Sequence, residues 1–88
     1  MMNSAVALDE AVIPVTVDYL EQDRVYKVSC PMLPGCHAWG RTLDAAIQAM
    51  PDNVRAMIAA RLANGSPVPT SLAHLRADTR LVIRVVPA

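Results

Sequence analysis

Apolar and polar residues begin to alternate at Val12. Val15, Val17 and Tyr19 fall on one side of an extended chain, and Thr16, Asp18 and Leu20 on the other, which is the period of a strand. Pro14 is expected at the start of that strand, where a missing N–H costs little. Glu21-Gln22-Asp23 makes a polar turn. Arg24 to Cys30 alternates again, with Tyr26, Val28 and Cys30 opposite Val25, Lys27 and Ser29, so the two runs read as a hairpin. Pro31 and Pro34-Gly35 stop the ladder and turn the chain, and Cys36 to Gly40 reads as a short third strand at a sheet edge. Residues 1–11 carry no such pattern and are expected to form a flexible tail.

The period then becomes helical. Leu43, Ile47, Met50, Val54, Met57, Ile58 and Leu62 form one stripe, while Asp44, Gln48, Asp52, Arg55 and Arg61 fall largely outside it. Thr42 is the expected N-cap, Asp44 complements the positive helix end, and Asn64-Gly65 supplies the stop. Pro51 interrupts the stripe and should cost about 3 kcal/mol. Burying seven apolar side chains returns on the order of 10–20 kcal/mol before entropy. One kinked helix is therefore expected, not two. Pro67 and Pro69 mark an extended loop, residues 71–78 allow one helical turn, and Arg80 to Val86 is the last strand, with Leu81, Ile83 and Val85 on one side. The predicted fold is a single α+β domain over residues 12–88, in the order β-β-β-α-β. Its sheet is mostly antiparallel, with the helix on one face and the last strand crossing over to lie beside the first.

Composition narrows the function. The chain has 88 residues, is 53% hydrophobic, and carries no Phe, one Trp and two Tyr, so its core is aliphatic. A domain this small is often marginal alone, and its apolar content fits a homo-oligomer, a dimer or a tetramer. Eight basic and eight acidic side chains cancel, which removes long-range attraction to nucleic acid or an anionic membrane. No signal peptide or membrane-spanning run is visible, and two cysteines are few for a disulfide scaffold, so a cytoplasmic chain with free thiols is expected.

The residues suggest no catalytic centre and no cofactor. Cys30, Cys36, His37 and His74 lack the paired spacing of a structural zinc site, and buried free thiols are the simpler reading. Ser29, Ser66 and Ser71 have no evident His or Asp partners. Trp39, the only Trp, reads first as core filler and second as an interface anchor, and it shares a strand face with His37 and Arg41. Arg76, Arg80 and Arg84 read as a solvated strip, with contact to nucleic acid as the alternative.

The stretch Tyr26, Val28, Leu33-Pro34-Gly35-Cys36, Gly40, Thr42 and Asp44-Ala45-Ala46, with Gly65, Pro67 and Pro69 after it, resembles the HicB-like antitoxin family over roughly residues 19–69. The resemblance implies a truncated ribonuclease H-like fold and a non-enzymatic protein that covers the active site of a small toxin ribonuclease of the HicA type. A stand-alone HicB-like protein is the companion reading; an orphan oligomeric module or a weak nucleic-acid binder is the alternative. Many members carry a C-terminal DNA-binding segment; this chain ends at Ala88, so no separate DNA-binding domain and no operon repression by it alone are expected. Two-metal nuclease chemistry needs several converging carboxylates, and only Asp18 lies within a strand. The surface expected to meet a partner is the turn and edge strand comprising Leu33, Pro34, Gly35, His37, Trp39 and Arg41.

Overall fold

The computed structural model describes residues 9–87. The expected tail lies outside the described residues as far as residue 8. Glu10 and Ala11, assigned to it from the pattern, already belong to the first strand, β1 (Glu10–Leu20). The remaining elements are β2 (Val25–Ser29), β3 (His37–Gly40), α1 (Leu43–Asn64), a short 3-10 turn (Thr70–Leu72) and β4 (Arg80–Val85). The sheet order is β3-β2-β1-β4. Neighbours are antiparallel except β1 and β4, which run parallel, as expected for a last strand reached by way of a helix.

β1 changes partner halfway. Glu10–Val15 pair with Arg80–Val85, and Thr16–Leu20 pair with Val25–Ser29. This explains Pro14, which sits inside the strand and not at its start. Arg80 and Val86 donate their N–H groups to the carbonyls of Asp9 and Val15, so the odd residues of β1 address β4. Pro14 faces the other way, beyond the last paired residue of β2, where its missing N–H leaves no ladder bond unmade.

The odd side chains of β1 also point inward. Ile13 and Val15 are fully buried with Val28 of β2 and Ala38 of β3, under Met50 and Val54 of α1. α1 covers this face only. Thr42 caps it through Oγ1, which accepts from the Ala45 N–H at 3.1 Å. Gly65, in the left-handed region, closes the other end, with its own N–H donated to Leu62 and that of Ser66 to Arg61. The helix runs through Pro51 as one element.

The buried row of α1 is Ala46, Met50, Val54 and Ile58, at intervals of four. Ile47 and Met57 flank it, whereas Leu43 and Leu62 lie at the helix ends, 37% and 61% exposed. Ala46, not Leu43, opens the buried row, and β3 passes close to the backbone of this first turn. A Cβ on Gly40 would sit 2.6 Å from the Ala46 nitrogen and 3.0 Å from the Thr42 carbonyl oxygen, so only glycine fits there.

Candidate partner-binding surface

β3 is an edge strand, and its backbone polarity follows from one bond. The Cys30 N–H donates to the Cys36 carbonyl at 3.0 Å. Along the antiparallel ladder this makes Val28–Ala38 and Tyr26–Gly40 the bonded pairs and turns the N–H and C=O groups of His37 and Trp39 away from β2. α1 caps one of these outward groups: Asn53 Nδ2 donates to the His37 carbonyl at 2.7 Å. The Trp39 groups make no hydrogen bond to any described residue, so they offer a donor and an acceptor to an added strand.

Side chains flank this edge on both sides. Trp39 lies on the sheet face that α1 leaves open and is 53% exposed, with the Lys27 ammonium 5.3 Å from its ring centroid. The core-filler reading therefore fails: Ala38, the neighbour of opposite parity, is the residue that enters the core. His37 stands beside Trp39, with ring centroids 6.4 Å apart, and its Nδ1 meets Ser29 Oγ at 2.9 Å. Arg41 is exposed. On the helix side, Gly35, Cys36, Asn53, Ala56, Met57 and Ala60 line a shallow, mainly apolar groove along the same edge.

The turn before β3 divides the predicted set. Pro34 and Gly35 are exposed, and Gly35 takes φ 90° to bring the chain over Met57. Leu33 is fully buried, so it anchors the turn in the core and is not a contact residue. The Leu33 N–H donates to Cys30, and the Cys36 N–H to Leu33. Arg61 also holds the turn, by donating to the Pro34 carbonyl at 2.8 Å while reaching Pro67 at 3.3 Å. Arg55 clamps the segment before β4 through the carbonyls of Arg76 and Thr79. From sequence both arginines only fall largely outside the apolar stripe of the helix. Their distance along the chain from their acceptors left no pattern that pointed to this role.

Cys30 and Cys36 are free and buried, and His74 is exposed on the loop before β4. Burial pushes the Cys36 thiol pKa up, the neighbouring Cys30 adds to the rise, and the Arg61 guanidinium partly offsets it. Asp18, Asp23, Asp44 and Asp52 are separately exposed. Among the described residues no three His, Cys, Asp or Glu side chains come together as metal ligands. The arginine strip is partly neutralised: Arg76 lies 3.5 Å from Asp9 and 3.6 Å from Asp78, and Arg80 lies 3.9 Å from Glu10. Arg84 is exposed on β4. No helix among the described residues is long and apolar enough to cross a membrane.

A family model described as the HicB-like antitoxin of bacterial toxin-antitoxin systems matches residues 13–81. The UPF0150 protein ssr1765 of Synechocystis sp. is 41% identical over 49 residues. The match spans 56% of this chain and 62% of that relative. No solved structure matches the chain significantly.

Proposed function

The chain belongs to the HicB-like antitoxin family, and from that premise we propose that it binds a small toxin ribonuclease of the HicA type and blocks it sterically. The observation that carries the reading is Trp39: the only tryptophan is half exposed on an edge strand, and its backbone groups have no hydrogen-bond partner among the described residues. A tryptophan anchor beside an open strand edge suits β-augmentation, in which backbone bonds give affinity and side-chain pockets give specificity. His37 on the same strand and exposed Arg41 just past its end flank the anchor, and Pro34 and Gly35 form the adjoining rim. Inhibition works by excluding RNA from the toxin, so it asks no acid, base or nucleophile of this chain and no cofactor. The protein works in the cytoplasm as a homo-oligomer, with β4, the opposite sheet edge, joining the copies.

Co-expression tests this reading. A short basic toxin encoded beside this gene should arrest growth alone and lose that effect with this protein present. Purified protein should stop the toxin's RNA cleavage. Trp39→Ala and Arg41→Glu should each weaken toxin binding at least tenfold while leaving the melting temperature within a few degrees. Full binding by both variants, or no inhibition of the toxin by the wild-type chain, refutes it.

A further inference from the structure

The two cysteines meet across the end of the β2–β3 ladder. The pairing of Ser29 with His37 continues one step to Cys30 opposite Cys36, and the Cys30 N–H to Cys36 carbonyl bond at 3.0 Å fixes that step. Only one of the two bonds of a regular ladder pair is made, since the Cys36 N–H donates to Leu33, but that bond sets the cysteines opposite each other. Ladder residues so opposed have Cα atoms about 5.5 Å apart, inside the roughly 4.4–6.8 Å that a disulfide requires. Both side chains point to the inner face, with the parity of Val28 and Ala38, and both thiols are free. The steric role proposed above uses neither of them.

We propose that Cys30 and Cys36 are a dithiol redox site, which an oxidant of the peroxide class converts to an intramolecular disulfide that staples the turn over residues 30–36. One cysteine, as thiolate, attacks a peroxide oxygen. The O–O bond breaks, leaving a sulfenic acid and a hydroxide that takes up the proton lost by the thiol. The second thiolate attacks the sulfenic sulfur. The S–S bond forms, the S–O bond breaks, and the departing hydroxide leaves as water with the second thiol proton. Two thiols are oxidised and one hydrogen peroxide is reduced to two waters.

The fold sets the order of events. In the reduced protein Cys36 Sγ lies 3.9 Å from Met50 Sδ, a contact to which the oxidised sulfur has no hydrogen to donate. Both cysteines are almost inaccessible, at 3% and 2% exposure, so oxidant enters only when the turn lifts. The bonds that resist lifting are Leu33 to Cys30, Cys36 to Leu33, and Arg61 to the Pro34 carbonyl. The reaction is slow for that reason, and its product holds the turn closed. The chemistry stands whether or not the adjoining edge binds a toxin.

The full chain, treated with hydrogen peroxide and then denatured, reports the outcome. Two thiols should disappear together, the intact mass should fall by two hydrogens without cross-linked dimer, and a reducing agent should restore both. The oxidised protein should melt roughly 5–15 °C higher, the scale expected for closing a short loop in a domain of this size. Cys30→Ser should abolish that gain. The proposal is overturned if both thiols persist in an excess of peroxide that fully oxidises a free dithiol. It is equally overturned if the thiols are lost only through cross-links between chains, or if the disulfide forms only in the denatured protein. The mass and thiol count of the wild-type chain decide the matter even if the serine variant does not fold.

Discussion

Gly40 fixes how the edge strand meets the helix, because any Cβ there drives into the Ala46 nitrogen, which is backbone and cannot rotate away. Gly40→Ala should destabilise the fold by about 2–3 kcal/mol, read from urea denaturation, whereas Ala38→Gly on the same strand should cost less. Cys36 gives a second test. Its thiol pKa is raised in the fold, so the unfolded chain releases that proton first and stability falls as pH climbs through the alkaline thiol range. The wild-type melting temperature should drop more steeply there than that of Cys36→Ala, and equal slopes would contradict the raised pKa. Several residues were legible only in part. Leu33 sits in a motif that looked like a contact surface, yet the turn needs it as an anchor. Trp39 looked like core because a lone aromatic usually is. The small apolar residues of opposite parity, Cys36 and Ala38, were the available sign that it faces outward.

At the scale of elements, α1 was readable from cap to cap, since Thr42 and Gly65 act through local chemistry that the sequence states directly. Its buried row was harder, because the apolar stripe gave Leu43 and Leu62 the same weight as the centre, and the fold buries Ala46 instead. Pro51 shows the balance between local and tertiary terms. It removes the bond to the Ile47 carbonyl, yet Met50 and Val54 on either side are fully buried and hold the helix together. Pro51→Ala should raise stability by about 1–3 kcal/mol without changing the helix boundaries, as checked by thermal melts and far-UV circular dichroism. Loss of stability would mean that the packing of Met50 depends on the proline. The clamps made by Arg55 and Arg61 were illegible, since each joins the helix to carbonyls that only the fold brings near.

For the whole molecule, the β-β-β-α-β order was enough to predict the crossover that sets β4 beside β1. It did not reveal that β1 divides its pairing between two neighbours. On the β4 edge, Leu81, Ile83 and Val85 turn their backbone groups outward, and Val85 is 46% exposed. If that edge joins copies in solution, the wild-type chain should sediment as a dimer or larger, and Val85→Lys should shift it toward monomer. Sedimentation as a monomer at high concentration would remove β4 from the assembly.

The divided strand also bears on how the molecule comes apart. The β1–β4 ladder and the β1–β2–β3 ladder share no pair of rungs and meet only around Val15 and Thr16. Amide deuteration should therefore separate two groups of slowly exchanging hydrogens, with the β4 amides released in a smaller opening that leaves the hairpin side protected. A single exchange rate on both sides would mean that the helix welds the halves into one cooperative unit.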